Sequence, residues 1–258
     1  MELTKKLSLT GLLPVVKLRS PDLALPLAEA LAAGGLTAAE ITFRTDAAQE
    51  SIRIISRQRP DFFIAAGTVL TPENADRAMD AGASLVVSPG LNAAVVEHCL
   101  KKGYPVIPGI STPSELEIAL SYGLDTVKLF PAEVLGGVKL LKAFAGPYGA
   151  VKFMPTGGVD AKNLASYLAL PNVLCCGGSW MVSEDPEVTR QRTRDAVDAM
   201  LGLRFLGAEG DRVTLAAPDT DRAGYYLERR GFERRASEGA AVYSNGAVTL
   251  EIVKEAAK

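Results

Sequence analysis

The chain has 258 residues, of which 48% are hydrophobic and 22% charged, as is typical of a soluble globular protein with one large core. The formal net charge of -2 gives no electrostatic reason to expect binding to nucleic acid or to an anionic membrane. The apolar stretch near the N-terminus is short and is interrupted by Gly11 and Pro14, so we expect neither a leader peptide nor a membrane span, and we expect a cytoplasmic protein.

Residue types that commonly bind metals are scarce. The cysteines are Cys99 and the adjacent Cys175 and Cys176, and His98 is the only histidine. Three cysteines make no disulfide framework and fit a reducing compartment. A zinc or iron site built on histidines is nearly excluded. We therefore expect no metal and no cofactor.

Short apolar runs alternate with amphipathic, helix-like segments from about residue 12 to residue 200. The runs are LLPVVKL, AAEITFRT, FFIAAGTV, SLVVSPG, YPVIPGI, TVKLFPAE, VKFMPTGG and VLCCGGSW. Continuous apolar strands that are each followed by a helix predict a parallel sheet whose outer face is covered. Eight such units suffice to close a (β/α)8 TIM barrel, and the length of the chain fits one.

The alternative fold is an open, doubly wound sheet. Two observations disfavour it: no G-x-G-x-x-G motif opens the first helix, and polar residues occur at the ends of nearly all the runs instead of at one crevice. In a barrel the ends of the strands converge on a single mouth, so the polar residues would form one site. Its candidate members are Glu40, Arg44, Thr68, Pro89, Lys128, Thr156, Gly157, Gly158, Gly177, Gly178 and Ser179.

The run AEITFRT carries an acid, a hydroxyl and a guanidinium on one face. Glu40, Thr42 and Arg44 point the same way because strand side chains alternate with period two. Arg44 is suited to hold a carboxylate with two hydrogen bonds, and Glu40, deeper in the barrel, could transfer protons. A buried ion pair that merely stabilises the packing is the structural alternative.

Lys128 lies between Val127 and Leu129 in an apolar strand, just before Phe130. A primary ammonium in such surroundings costs several kcal/mol unless it is paired or loses its proton, and a neutral amine is a nucleophile toward carbonyl groups. The alternative is a lysine whose head reaches water from the strand end. Lys17 and Lys152 compete for the amine role. Lys152 begins its strand, which predicts a place at the opposite rim.

Glycine pairs end the seventh and eighth apolar runs. Gly157 and Gly158 in PTGG, and Gly177 and Gly178 in CGGSW, allow backbone amides to approach an anion closely. Each pair alone is weak evidence, because glycines also end strands for turn geometry. Their positions after strands seven and eight, where such barrels commonly bind phosphate, favour a phosphate site. Thr156 and Ser179 would add hydroxyl donors.

The composition changes after the eighth unit. EDPEVTRQRTRDAVDAMLG predicts a closing helix, and the remainder predicts a small βαβββ extension, so we divide the chain into a barrel domain (1–202) and an extension (203–258). The extension faintly resembles one module of the vicinal oxygen chelate superfamily, in which the position of Glu251 can bind metal; no histidine lies nearby in the sequence. With about 55 residues its core is marginal, so we expect it to pack on the barrel or on its counterpart in another subunit.

The motifs AEITFRT, AAGTVLTPE, SPG, IPGISTPSE, TVKLFPAE, MPTGGV and CCGGSW, in this order and spacing, resemble the 2-keto-3-deoxy-6-phosphogluconate (KDPG) / 2-keto-4-hydroxyglutarate (KHG) aldolase family. The resemblance covers about residues 8 to 200. It implies a class I aldolase of carbohydrate metabolism in the Entner-Doudoroff pathway, built as a TIM barrel that is usually a homotrimer, and it gives Lys128 the role of Schiff-base lysine.

The resemblance also implies roles for the other candidates. Glu40 corresponds to the general acid/base, and Pro89 and Phe130 line the pocket. The pyruvate carboxylate would be held by Arg44, Thr68 and Thr156, and the phosphate by Gly157, Gly158, Gly178 and Ser179. No metal would be required, because an iminium withdraws electrons as zinc does in other aldolases.

The expected reaction is cleavage of 2-dehydro-3-deoxy-6-phosphogluconate, a small 2-keto acid, to pyruvate and glyceraldehyde 3-phosphate. Two alternatives keep the chemistry and change the substrate, to 4-hydroxy-2-oxoglutarate or to 2-dehydro-3-deoxy-6-phosphogalactonate. A further alternative is a phosphate-binding barrel isomerase or epimerase, in which Glu40 moves protons and Lys128 serves only as a charge. The last alternative is a barrel without catalytic activity that serves only as a scaffold for the extension.

Overall fold

The computed structural model describes residues 3–237 and 240–255. The predicted domain ranges also include residues that lie outside those described, namely 1–2, 238–239 and 256–258. Among the residues described, no helix is both long and apolar enough to cross a membrane.

Eight parallel strand positions form a barrel, as predicted. The strands are β1 (Leu12–Val16), β2 (Ala38–Thr42), β3 (Phe63–Gly67), β4 (Leu85–Val87), β5 (Val106–Ile107), β6 (Gly109–Ile110), β7 (Thr126–Leu129), β8 (Lys152–Pro155) and β9 (Cys176–Gly178). β5 and β6 are one position interrupted at Pro108, which lacks the N–H that a strand ladder needs. Hydrogen bonding links β5-β4-β3-β2-β1-β9 and β6-β7-β8, and the bridge from Thr156 to Gly177 joins β8 to β9.

Helices follow the strands and cover the outside of the barrel. They are α1 (Leu3–Thr10), α2 (Ala24–Ala33), α3 (Ala48–Gln58), α4 (Pro72–Asp80), α5 (Ala93–Lys102), α6 (Pro113–Ser121), α7 (Gly137–Ala145), α8 (Leu164–Leu168) and α9 (Pro186–Leu201). Local signals explain their ends: Thr112 and Glu115 form a reciprocal capping box at the start of α6, and Gly103 ends α5 in the left-handed conformation. α1 precedes β1 and buries Leu7 in the main core.

Period-two alternation in β2 decides which side chains face the barrel interior. Ala39 and Ile41 are buried in a cluster that includes Ile52 and Ile55 of α3, so they face outward, under the helices. Glu40 and Thr42 therefore face inward. The strand ends at Thr42, earlier than the run AEITFRT implies.

Over residues 203–237 and 240–255, the extension forms a five-stranded sheet with one helix. Its elements are β10 (Arg204–Glu209), β11 (Arg212–Ala217), α10 (Thr220–Arg229), β12 (Glu233–Arg235), β13 (Ala241–Ser244) and β14 (Thr249–Lys254), in the sheet order β10-β11-β14-β13-β12. The predicted βαβββ order is present as β11-α10-β12-β13-β14. One further strand, β10, precedes it and was not predicted. β10 is a largely exposed edge strand, with Phe205 64% accessible, so it carries no buried periodic pattern and is held by backbone pairing with β11.

The extension packs on the barrel through α10, which is one of the two arrangements expected for it. Arg222 Nε and Nη2 donate to the carbonyl of Ser8 at 3.0 and 2.8 Å, and the Tyr226 hydroxyl donates to the carbonyl of Thr10 at 2.8 Å. Both carbonyls belong to α1. Glu251 lies 3.7 Å from Arg212 in an ion pair.

Candidate active site

Lys128 and Glu40 meet inside the barrel. Lys128 Nζ donates to Glu40 Oε1 at 3.0 Å and to Oε2 at 3.2 Å, and the two side chains are 5% and 1% exposed. Their strands, β7 and β2, lie opposite each other, with three strand positions between them on either side. The sequence left open whether Lys128 reaches water or an acid. The structure pairs it with the one buried carboxylate that the strand pattern placed on the inner face.

A glycine leaves the room that the Glu40 carboxylate occupies. Gly67 ends β3, the strand next to β2, and a Cβ at this position would overlap Oε1 of Glu40. Any larger residue would displace the carboxylate from Lys128. Gly67 therefore positions the pair. It did not stand out in the sequence, because a lone glycine at a strand end usually marks only a turn.

Arg44 lies just beyond the end of β2 and is exposed. Its Nε donates to the Thr42 hydroxyl at 3.1 Å, and that hydroxyl donates to the carbonyl of Val16 at 2.7 Å. Thr42 thus links Arg44 to the wall of the barrel. Among the described residues this is the only hydrogen bond of the guanidinium, so its two terminal nitrogens are available to bind a ligand.

Thr68 follows β3 directly and Pro89 lies two residues beyond the end of β4, at the same carboxyl end of the barrel. Thr68 has φ +55°, which is uncommon for a residue with a side chain and costs about 1–3 kcal/mol. Such strain is concentrated at functional sites. A Cβ at Gly109 would overlap the carbonyl of Pro89, so the approach of these two strand ends requires glycine.

Thr156 carries a buried polar atom with no partner. The residue is 5% exposed, and within the described part of the chain its Oγ1 makes no hydrogen bond. Leaving a buried hydroxyl unsatisfied costs about 1–3 kcal/mol, which a bound polar ligand would recover. A Cβ at Gly177 would overlap this hydroxyl, so Gly177 makes the space that Thr156 faces.

The two glycine loops lie side by side, because the Thr156–Gly177 bridge joins the ends of β8 and β9. Gly157 and Gly158 have φ +96° and +83°, a backbone conformation that favours glycine. Gly158 and Ser179 are exposed at the rim, whereas Gly178 is buried against Trp180.

Phe130 connects this rim to the lysine. Lys128 Nζ lies 5.5 Å from the centre of the Phe130 ring, a distance typical of a cation–π contact. A Cβ on Gly157 would be 3.3 Å from the same ring. The candidate site residues therefore lie between the middle of a strand and the loop just beyond its carboxyl end, on the same side of the barrel.

The two competing lysines, Lys17 and Lys152, have their amines outside the barrel interior. Lys17 is exposed, one residue beyond the end of β1. Lys152 begins β8 and donates to the carbonyl of Pro171 at 3.1 Å, at the amino end of the barrel. Of these three lysines, Lys128 alone has its amine in the barrel interior.

Glu133 is a second residue of this site that the sequence pattern did not indicate. Its carboxylate accepts a hydrogen bond from the Tyr167 hydroxyl, and its side chain fills the space where a Cβ of Gly158 would lie. Burial is the main cause that raises the pKa of Tyr167, so the phenol remains a donor near neutral pH. Glu133 thereby connects the loop after β7 to the glycine loop after β8. The signal was its place in FPAE, directly after the strand of Lys128.

Residues 3–198 match the KDPG and KHG aldolase family. The chain belongs to this family. The 2-dehydro-3-deoxy-phosphogluconate aldolase of Haemophilus influenzae is 49% identical over 183 residues, which are 71% of this chain and 86% of that protein. The KHG/KDPG aldolase of Escherichia coli K12 is 46% identical over 172 residues, 67% of this chain and 81% of its own length.

A crystal structure supports the same assignment. The KDPG aldolase from Legionella pneumophila, described with pyruvate captured at low pH as a covalent carbinolamine intermediate, superposes with a TM-score of 0.70. It is 37% identical and covers 77% of this chain and 96% of its own. As a member of the KDPG and KHG aldolase family, the chain is a carbon–carbon lyase on a (β/α)8 barrel, as predicted.

Proposed function

We propose that this protein is a class I aldolase that cleaves 2-dehydro-3-deoxy-6-phosphogluconate to pyruvate and glyceraldehyde 3-phosphate. One observation carries the proposal: the buried contact between the amine of Lys128 and the carboxylate of Glu40. A buried amine with an acid at 3.0 Å can lose its proton to that acid and then attack a carbonyl carbon.

Lys128 forms and releases the covalent intermediate. Its neutral Nζ attacks the C2 ketone of the substrate to give a carbinolamine. Glu40, which holds the proton taken from Lys128, donates it to the departing hydroxyl, so that water leaves, an iminium forms and the carboxylate is ionised again. The positive nitrogen then accepts the electron pair of the C3–C4 bond as that bond breaks. Glyceraldehyde 3-phosphate leaves first, and an enamine of pyruvate remains on Lys128. Protonation at C3 and addition of water free pyruvate and the amine.

Glu40 moves the protons of the same sequence. It removes the C4 hydroxyl proton, directly or through one water, as the C3–C4 bond breaks. The protonated carboxyl then returns a proton to C3 of the enamine. Both steps occur within reach of Lys128, and Glu40 is positioned for them by the space at Gly67. The chemistry needs no metal, because the iminium withdraws the electrons.

The remaining candidates would orient the substrate. We assign the pyruvate carboxylate to Arg44, Thr68 and Thr156, supported by the unpartnered hydroxyl of Thr156 and the free nitrogens of Arg44. Pro89 and Phe130 would line the pocket between the strand ends. The phosphate would lie in the rim formed by Gly157, Gly158, Gly178 and Ser179, where glycines let backbone amides approach an anion.

The E. coli relative carries the name KHG/KDPG aldolase, which favours 4-hydroxy-2-oxoglutarate as a second substrate of this chain. The Lys128–Glu40 pair would act on either compound. Relative turnover of the phosphorylated and unphosphorylated keto acids decides the preference, and the glycine rim predicts the higher kcat/KM for the phosphorylated one.

We also propose that the protein is a cytoplasmic homotrimer of the Entner-Doudoroff pathway, with a barrel domain (1–202) and an extension (203–258). Three free, buried cysteines support a reducing compartment. The change from helix α9 to the antiparallel pair β10–β11 supports the domain division.

Borohydride reduction in the presence of pyruvate tests the proposed chemistry. The hydride converts an iminium to a stable amine, so Lys128 should gain the mass of reduced pyruvate. Lys128→Ala should lose both the label and at least about 10⁴-fold of kcat, because the nucleophile is removed. Lys17→Ala is the matched control and should keep both. A chain labelled elsewhere, or not labelled, contradicts the proposal and favours the isomerase or the scaffold.

A further inference from the structure

A cleft of about 610 Å³ lies between the barrel and the extension. Its walls come from the end of α2, the loops before β2 and β3, α9 and α10. Small-molecule sites commonly have volumes of roughly 300–1,000 Å³. Because β2 and β3 begin here, the cleft lies at the amino end of the barrel, away from Lys128 at the carboxyl end. It is a separate place from the proposed active site.

Positive charge dominates the lining of the cleft. The charged residues are the four arginines Arg59, Arg194, Arg229 and Arg230 and the two aspartates Asp61 and Asp198. Asp61 is shared by two of the arginines: Arg59 donates to both of its oxygens at 3.1 Å, and Arg229 lies 3.6 Å away. The hydrogen bond from Arg59 lowers the pKa of Asp61. This carboxylate therefore offsets part of the positive charge of both arginines.

Arg194 and Arg230 are poorly neutralised. Arg230 is 3.8 Å from Asp198, a long and weak contact, and within residues 3–237 and 240–255 Arg194 makes no ion pair. Four guanidinium groups against two carboxylates give the lining a net formal charge of +2, and among the described residues only Arg194 of the four has no carboxylate within ion-pair distance. Like charges in one cleft repel each other, and a bound dianion would remove that repulsion.

The other lining residues restrict the kind of ligand. Ala33, Gly34 and Gly35 are small and leave the guanidinium groups accessible. Tyr226 is 2% exposed and its hydroxyl is bonded to Thr10, so among the described lining residues no exposed aromatic ring is available to stack on a nucleobase. Arginine recognises phosphate through two parallel hydrogen bonds. A phosphate monoester is largely dianionic at pH 7.

We propose that this cleft binds a small phosphorylated metabolite through its dianionic phosphate, with Arg194 and Arg230 as the two anchoring groups. Arg194 belongs to α9 of the barrel and Arg230 follows α10 of the extension. The ligand therefore joins the two units and stabilises their contact. The extension supplies half of a binding site that the barrel alone lacks.

Calorimetric titration of the full chain with inorganic phosphate, and separately with glycerol 3-phosphate, tests this site. Arg194 is exposed, so Arg194→Glu should fold normally, and equal kcat/KM of parent and variant would confirm it. The matched control is Arg57→Glu, which inverts an exposed arginine of α3 outside the cleft. Any phosphate bound at the glycine rim contributes equally to all three proteins.

The Arg194→Glu variant should lose one bound anion, or bind it at least about tenfold more weakly, while Arg57→Glu titrates like the parent. Arg230→Glu should repeat the loss. Tighter binding of glycerol 3-phosphate than of phosphate identifies a metabolite as the ligand, and equal binding identifies free phosphate; both support the site. Equal titration of Arg194→Glu and Arg57→Glu overturns the proposal, whatever the aldolase assays show.

Discussion

Lys128 Nζ lies 3.0 Å from Glu40 Oε1, although 88 residues separate the two in sequence and their strands are on opposite sides of the barrel. Both side chains are at least 95% buried, so neither charge has water as an alternative partner. A buried ion pair of this kind adds little net stability, but loss of one partner costs several kcal/mol. The pair therefore couples the stability of the fold to its chemistry.

The substitution Glu40→Gln should affect stability and activity together. It keeps the shape of the side chain but leaves the amine of Lys128 without its acid, so we expect about 3–5 kcal/mol less free energy of unfolding in urea. We also expect kcat to fall by about 10²- to 10⁴-fold, because the proton carrier is lost.

The control for this prediction is Glu29→Gln. Glu29 is an exposed residue of α2, and its substitution should change the free energy of unfolding by less than about 0.5 kcal/mol. If Glu40→Gln matched that control in urea and retained full kcat, the contact with Lys128 would be without consequence.

Gly177→Ala should displace the hydroxyl of Thr156. The added Cβ would overlap this hydroxyl, which faces the proposed carboxylate position. We expect a loss of about 1–3 kcal/mol of stability and about a hundredfold loss of kcat/KM. Gly207→Ala is the matched control, since a Cβ on Gly207 in β10 meets nothing within 4 Å. Similar kinetics of the two variants would show that Thr156 does not position the substrate.

Tyr226→Phe should weaken the contact between the extension and the barrel. The phenol hydroxyl donates to the carbonyl of Thr10 at 2.8 Å in a buried position, so its loss should lower the free energy of unfolding by about 1–2 kcal/mol. The neighbouring Tyr225 is half-buried and provides the control, and Tyr225→Phe should cost less than about 0.5 kcal/mol. Equal costs would mean that the Thr10 bond contributes nothing.

The native thiols should resist alkylation near neutral pH. Burial raises the pKa of Cys99 to about 11 and that of Cys175 to about 12, so only about one thousandth of Cys99 is thiolate at pH 8. Iodoacetamide should modify the folded chain slowly and all three cysteines after unfolding in urea. Rapid labelling of the folded chain at pH 8 would contradict the burial of these residues.

The same pKa shift predicts how the free energy of unfolding changes at alkaline pH. The folded state favours the protonated thiol of Cys99, whose pKa rises from the ordinary 9.0 to about 11. The stability gained from burying this thiol is therefore complete below pH 9 and falls as the pH rises toward 11. Cys99→Ala removes this titration and should flatten the loss of stability between pH 9 and 11, measured by urea unfolding at each pH.

Much of the barrel could be predicted from the sequence, because buried parallel strands are continuous apolar runs and each is followed by a helix. The inward direction of Glu40 followed from period-two alternation. Two predictions were less accurate. The strand in AEITFRT ends at Thr42, earlier than predicted. The strand β10 was not predicted, because an exposed strand at the edge of a sheet needs no apolar pattern.

The sequence by itself determined the residue types at each strand end, and so the acid, the amine and the glycines of the site. Only the tertiary structure decided that Lys128 contacts Glu40, that Gly67 and Gly177 make room for their neighbours, and that α10 docks on α1. The physical reason is that alternation and propensity act over a few residues, whereas contacts across a closed barrel depend on how all eight strand positions come together.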